Sequence, residues 1–118
     1  LPIQYAFTYP DRLAGPCPKL DLGQSMSLDF YPPDNSKFPA LELGFEVAEF
    51  GGSTGAVLNA VNEEAVAAFL NQKIKFTDIP TVCRNILDQH NFEPFPAMPQ
   101  LIAADQWARQ EISKWMNA

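Results

Sequence analysis

The sequence is poor in the residues that most catalytic and metal sites need. Its 118 residues include one histidine and two cysteines, and 8 lysines and arginines stand against 14 aspartates and glutamates, for a formal net charge of -6. This acidic balance argues against a protein that binds nucleic acid or an anionic membrane through phosphate contacts. No run of about 18 apolar residues is present, so the sequence predicts no membrane-spanning helix.

The histidine and the cysteines carry no recognisable site. Cys17 and Cys83 belong to no CxxC pair and have no metal-ligand spacing to a histidine. We expect two reduced thiols, with one disulfide in an oxidising compartment as the alternative. His90 has no neighbouring nucleophile or carboxylate cluster, and it stands near the end of a predicted helix. We therefore interpret it as a capping or surface residue, favoured in its cationic form by the helix dipole.

The start of the chain also lacks two features. It has no initiator Met, and its first residues contain neither the basic nor the apolar region of a signal peptide. We therefore expect the chain to be part of a longer protein.

Proline is the residue in excess, and it is concentrated at the start of the chain. Seven of the 11 prolines precede Ala40, and each fixes its own φ and removes a backbone donor. A helix in this region is therefore not expected. Ile3, Tyr5 and Phe7 alternate with smaller or polar residues, which predicts a strand over residues 2–9. Residues 1–38 are predicted to form this strand and a Pro-rich linker arm, which buries apolar side chains only by lying on something else.

A period near 3.6 residues follows Pro39 and predicts four helices. The first begins at Pro39, points Leu41, Phe45 and Ala48 inward, and ends at Gly51. The others are predicted over residues 55–72, from an N-cap at Thr77, and over residues 100–117. Their predicted inward side chains are Leu58, Val61, Ala65, Ala68, Phe69, Ile79, Val82, Cys83, Ile86, Leu87, Leu101, Ala104, Ala108, Ile112 and Trp115. The predicted fold class is mainly α, with residues 39–118 forming a small C-terminal bundle of about four helices.

Two other patterns have a simpler explanation than a site. The glycine-rich turn over residues 51–55 precedes a helix and could bind an anion, but it lacks the Lys-Ser/Thr ending of a phosphate-binding loop. We interpret it as an interhelical turn. Glu42, Glu46 and Glu49 share one helix face and could offer oxygens to a cation. The Glu-x-x-His pairs of di-metal bundles are absent, so we interpret them as a solvated face.

Asn59, Asn62 and Glu63 form the most unusual cluster in the sequence. Asparagine is a mediocre helix former because its side chain competes for backbone hydrogen bonds. Here two asparagines lie one turn apart beside a glutamate, in a helix otherwise rich in alanine and valine. We expect these three residues to be structural or interdomain residues that bond a neighbouring loop or domain, with direct substrate contact as the alternative.

Several runs resemble those of one enzyme family. They are LPIQYAFTYPDR at residues 1–12, FPAL at 38–41, LNAVNEEAVAAFL at 58–70, KFTDI at 75–79 and DQWAR at 105–109. Together they resemble the end of the connective domain, the linker and the C-terminal domain of 1-deoxy-D-xylulose 5-phosphate reductoisomerase. Val61 stands where the family usually has alanine, and MPQL at 98–101 replaces a more common Pro-Ser-Leu helix start.

The resemblance implies a domain of a larger enzyme. That enzyme uses NADPH and a divalent cation, Mg or Mn, to convert 1-deoxy-D-xylulose 5-phosphate to 2-C-methyl-D-erythritol 4-phosphate in isoprenoid precursor synthesis. The family's nucleotide-binding, metal-binding and phosphate-binding residues all lie upstream, so no catalytic, cofactor-binding or metal residue is expected in this chain. We expect a structural domain that is inactive alone.

The resemblance also implies partners and a location. The partners are the upstream NADPH-binding and connective domains of the same polypeptide, in a homodimer that binds neither nucleic acid nor membrane. The location is the bacterial cytoplasm, or a plastid for a plant-type source. The alternative function is a stand-alone helical interaction module whose Pro-rich arm binds a partner.

Overall fold

The computed structural model describes residues 2–117, and these residues contain five α-helices and no strand. In chain order the helices are α1 (Pro2–Thr8), α2 (Ala40–Phe50), α3 (Thr54–Leu70), α4 (Asp78–Leu87) and α5 (Met98–Met116). The mainly α fold class is therefore confirmed, with one helix more than predicted. The chain divides into two compact units, of which the first ends at Tyr31 and the second begins at Pro32. The predicted domain boundary between residues 38 and 39 stays a prediction.

The predicted strand over residues 2–9 is wrong, because residues 2–8 form helix α1 and Tyr9 lies in the turn after it. Pro2 is the first residue of the helix, where its missing N–H would have no partner in any case. No further proline follows until Pro10, so the intervening residues are free to be helical. The alternation of apolar residues was ambiguous, since Tyr5 and Tyr9 are also an i, i+4 pair. Their ring centres lie 5.8 Å apart, with Tyr9 directly after the end of the helix.

The rest of the predicted arm contains no helix between residues 9 and 39, as the proline content indicates. Within the first unit, the Gln4 side-chain amide donates to the Leu13 carbonyl at 3.1 Å, and the Arg12 guanidinium lies 4.6 Å from the Tyr5 ring centre. None of the residues of α1 is buried. The first unit therefore leaves its apolar side chains at its surface.

Helix α2 presents a different face to the bundle than the sequence pattern predicted. Leu41 and Phe45 are exposed, and Leu43 is the buried residue. Apolar residues at positions 41, 43, 45, 47 and 48 fit more than one face, so periodicity alone could not choose between them. Leu43 joins the core of the bundle, and Arg84 of α4 donates to Glu46 at 2.9 Å. Glu46 is therefore not part of a purely solvated face.

Helix α3 lies at the centre of the second unit and packs on both α4 and α5. Small side chains, Ala60 and Ala65 on α3 and Ala108 on α5, are fully buried and allow the helices to approach closely. The larger buried residues are Val57, Val61, Val82, Cys83, Ile86 and Ile112. The inward positions predicted for the last three helices are thus confirmed at the bundle centre, while Phe69 lies at the exposed edge.

The start of α4 lacks the side-chain cap that the sequence predicts. Thr77 occupies the N-cap position, but its side chain accepts no capping hydrogen bond. The Asp78 carboxylate instead accepts a hydrogen bond from the backbone N–H of Lys75 at 2.9 Å. A carboxylate in the first turn also faces the positive end of the helix dipole, which makes it a favourable anchor for the preceding loop.

Candidate functional site

The three residues singled out in the sequence lie on the exposed side of α3, opposite the core. The Asn59 side-chain amide donates to the Glu63 carboxylate at 3.1 Å, one helical turn away. Asn62 makes no side-chain hydrogen bond to any other residue within 2–117. The structure therefore joins Asn59 to Glu63 and leaves the Asn62 amide available to a further partner.

Glu63 belongs to an ion-pair cluster centred on Arg109 of α5. The Arg109 guanidinium donates to Glu63 at 2.7 Å, to Glu64 at 2.9 Å and to Asp105 at 2.9 Å. Hydrogen bonds from Arg109 first, and from Asn59 second, lower the pKa of the Glu63 carboxyl below its usual range. One planar guanidinium thus ties α5 to α3 through Glu63 and Glu64, while Asp105 holds it from the same helix.

Sequence reasoning identified Glu63 and missed the role of Arg109. The available signal was the i, i+4 spacing of Asp105 and Arg109, which is typical of an ion pair on a helix surface. That signal does not extend to α3, because Glu63 and Arg109 are 46 positions apart in the sequence. Only the packing of the two helices brings them together.

Beside Asn62 the surface forms a groove, which we call the Asn62 groove. It consists of two adjoining depressions of about 590 and 280 Å³ that share Ala40, Asn62, Ile79 and Pro80. The larger is lined by Ser36, Lys37, Phe38, Pro39, Ala40, Leu41, Asn62, Val66, Phe76, Thr77, Ile79 and Pro80. The smaller adds Leu43, Gly55, Leu58, Asn59 and Cys83. All of these residues belong to the second unit, so one folded body supplies the whole groove.

A second cluster joins the α2–α3 turn to the loop between α4 and α5. The Ser53 hydroxyl lies 2.8 Å from His90 Nε2 and accepts the backbone N–H of Glu93 at 2.9 Å. The Ser53 backbone N–H donates in turn to the Glu93 carbonyl at 3.0 Å. Neutral His90 with its proton on Nδ1 fits this arrangement, because Nε2 then accepts the Ser53 hydroxyl proton.

The interpretation of His90 as a capping or surface residue is therefore wrong. It lies beyond the end of α4, is half-buried, and contacts Ser53, with Trp107 6.3 Å away between ring centres. Burial lowers the pKa of His90, so the environment favours the neutral ring and not the predicted cation. Ser53 is only 2% exposed, and its hydroxyl is already engaged with His90 and Glu93, so the pair acts as a latch between two loops.

The glycine-rich turn contributes to the same latch. Gly51 and Gly52 have φ values of 62° and 57°, in the left-handed region that favours glycine. A side chain on Gly52 would overlap the Glu93 carbonyl and the Phe92 ring. The Ser53 N–H is taken by Glu93, and the Thr54 hydroxyl donates to the Gly51 carbonyl. The structure thus uses this segment as an interhelical turn.

Two further features are absent from residues 2–117, a metal site and a membrane span. This range contains no group of three or more histidine, cysteine, aspartate or glutamate side chains placed to hold a metal ion. None of its helices combines the length and the apolar character needed to cross a bilayer. Cys17 is exposed and Cys83 is buried, and burial raises the pKa of the Cys83 thiol to about 11.

Comparison with known proteins places the chain in a family. A family model described as the DXP reductoisomerase C-terminal domain matches residues 1–111. The chain belongs to this family. A 1-deoxy-D-xylulose 5-phosphate reductoisomerase from Rhodopirellula baltica is 52% identical over 109 residues, which cover 92% of this chain and 24% of that protein.

Solved structures of reductoisomerases share the fold. The enzyme from Zymomonas mobilis in complex with NADPH matches with a TM-score of 0.81 and 37% identity, covering 99% of this chain and 31% of the other. A reductoisomerase in complex with NADPH, fosmidomycin and magnesium matches with a TM-score of 0.79 and 30% identity, covering 98% of this chain and 31% of the other. The chain spans between 24% and 30% of the length of the curated relatives it matches.

Proposed function

We propose that this chain is the C-terminal structural domain of an NADPH-dependent reductoisomerase, and that it is not catalytic by itself. The full enzyme would convert 1-deoxy-D-xylulose 5-phosphate to 2-C-methyl-D-erythritol 4-phosphate in isoprenoid precursor biosynthesis. The observation that carries the proposal is the family match over residues 1–111, together with 52% identity to a reductoisomerase over 92% of the chain.

The residues of this chain do not fit NADPH or a divalent cation. Residues 2–117 hold no group of ligands for a metal, and the sequence has no glycine-rich strand–turn–helix of the dinucleotide-binding type. We therefore assign NADPH and Mg or Mn to the rest of the polypeptide. The solved relatives that carry NADPH and magnesium support this assignment, because this chain corresponds to only 31% of their length.

The role proposed for the domain is to support the upstream NADPH-binding and connective domains. Its polar clusters fit such a role, since Arg109 and Arg84 join helices to one another and Ser53 joins two loops. We further propose that the full enzyme is a homodimer in the bacterial cytoplasm. Relatives from bacteria such as Rhodopirellula baltica and Desulforamulus reducens support that location.

Activity assays on two proteins test the proposal. We expect the full-length polypeptide to oxidise NADPH when given 1-deoxy-D-xylulose 5-phosphate and Mg²⁺, and chain 1–118 to show no such oxidation. Far-ultraviolet circular dichroism on the same sample of chain 1–118 checks that it is helical when assayed. NADPH oxidation by folded chain 1–118, or its absence in the full-length protein, would contradict the proposal. Sedimentation of the full-length protein tests the homodimer.

A further inference from the structure

We propose that the Asn62 groove is the docking surface for a segment of the same polypeptide that precedes residues 1–118, bound in extended conformation. The proposal rests on the proposed function, since it requires the chain to be one domain of a longer enzyme. It goes further by assigning the contact to one face of α3 and to the residues of α2 and α4 beside it.

The composition of the groove is that of an interface core. In a chain with 22 charged side chains (8 basic and 14 acidic), Lys37 is the only charged residue that lines either depression. Aromatic residues are present instead, and Phe38 and Phe76 are exposed by 54% and 69%. Depletion of charge and enrichment in aromatic residues distinguish the buried centre of protein interfaces from ordinary surface.

Asn62 indicates what kind of segment fits. Its amide has both a donor and an acceptor, lies among apolar neighbours, and has no side-chain partner within residues 2–117. An apolar occupant would strip water from this amide, which is unfavourable unless the amide finds new partners. The N–H and C=O of an extended backbone supply both partners at once, while apolar side chains of the segment fill the depressions.

Two observations favour an occupant from the same polypeptide: the large share of the solved relatives that lies outside this chain, and the negative net charge of the chain. More than two thirds of each solved relative lies outside the region that matches this chain, so a large part of the polypeptide is tethered close to the groove. Tethering raises the effective concentration of such a segment well above that of a free partner. A second copy is less suitable, because it would bring together two domains that each carry a net charge of -6.

Photo-crosslinking in the full-length protein tests the proposal. We place p-benzoyl-phenylalanine at Val66, which lines the groove, or at the neighbouring exposed Ala67, which does not. We expect irradiation to join position 66 to a peptide that precedes Leu1, and position 67 to give no such product. A mixture of isotopically heavy and light protein distinguishes the two sources, since an intrachain crosslink never joins heavy to light peptides.

A second measurement needs no substitution. Carbene footprinting of the wild-type full-length protein should label Phe76 much less than Phe95, although both rings are exposed in this domain. Equal labelling of the two, a heavy–light crosslink, or no crosslink from position 66 would each overturn the proposal. NADPH oxidation by the same wild-type sample is scored separately. If the enzyme is active but position 66 gives no crosslink, the docking proposal is wrong and the proposed function stands. If the crosslink forms but NADPH is not oxidised, the proposed function is wrong and the docking proposal stands.

Discussion

At the scale of single residues, the burial of His90 makes stability depend on pH. Burial lowers the pKa of His90 in the folded chain, so between that value and the ordinary histidine value near 6.5 the unfolded chain binds more protons. The stabilising contribution is therefore fully present above about pH 6.5 and is lost as the pH falls toward the lower, folded-state pKa. Hydrogen bonds also lower the carboxyl pKa values of Asp34, Glu46 and Glu63, and the stability that these groups contribute is lost at more acidic pH than the ordinary carboxyl range.

Substituting His90 should remove this dependence. His90→Gln keeps an acceptor near the Ser53 hydroxyl but has no proton to gain, so we expect the unfolding free energy to vary less between about pH 5 and 7 than in the unsubstituted chain. His90→Ala serves as the comparison, because it also removes the acceptor and should be less stable than the unsubstituted chain above about pH 6.5. Urea unfolding across this range measures both, and an unchanged pH dependence in His90→Gln would contradict the prediction.

Two glycines should respond oppositely to alanine. Gly52 has a positive φ and lies against Glu93 and Phe92, so Gly52→Ala should lower the unfolding free energy by at least about 1 kcal/mol. Gly44 lies inside α2 with no atom near the position of an added Cβ. Gly44→Ala should therefore raise the unfolding free energy by about 0.5–1 kcal/mol. Thermal and urea unfolding of both variants check the pair, and a destabilised Gly44→Ala would show that the surroundings of α2 matter more than helix propensity.

At the scale of elements, the Arg109 cluster links α3 to α5 across the surface of the bundle. Arg109→Gln removes the charge from all three carboxylate contacts and should lower the urea midpoint at low salt. The difference from the unsubstituted chain should shrink near 1 M salt, because the Debye length is then only about 3 Å. Lys114→Gln is the matched control, since its partner Glu111 lies on the same helix and its side chain is 70% exposed. Equal effects of both substitutions would mean that Arg109 does not join the helices.

Sequence patterns predicted the inward faces of helices best where burial of apolar surface alone determines them. The core faces of α3, α4 and α5 follow from apolar periodicity, because burial of apolar surface sets them. Helix α1 was missed because a proline at its first position was counted as a helix breaker. The inward face of α2 was missed because its apolar residues fit more than one face, and packing against α3 and α4 selects the face that carries Leu43.

In the candidate site, too, the contacts join residues that are far apart in the sequence and could not be predicted from local patterns. Asn59 and Asn62 stand out in the sequence as poor helix formers beside Glu63. Of the three residues, Asn59 and Glu63 make specific polar contacts. Which partner each one takes depends on where α5 lies, and local sequence contains no such information. The Ser53–His90 latch was missed for the same reason, since its two residues are 37 positions apart.

At the scale of the whole molecule, the buried core belongs entirely to the second unit. All residues of the core cluster lie between Leu43 and Ile112, and no residue of α1 is buried. A chain that begins at Pro32 should therefore melt cooperatively and within a few degrees of chain 1–118. Circular dichroism at increasing temperature measures this. Loss of cooperative melting in the shorter chain would show that residues 1–31 are needed for the bundle to fold.

The two thiols differ so much in exposure that their alkylation rates report local opening of the native structure. Cys17 is exposed, whereas Cys83 is 2% exposed at the floor of the Asn62 groove and burial raises its pKa to about 11. Alkylating reagents attack the thiolate, so the chain should incorporate one label quickly and the second only when α4 separates from the bundle. The rate of the second label, followed by mass spectrometry, then reports how often this part of the native structure opens. Two fast labels would show that Cys83 is not protected.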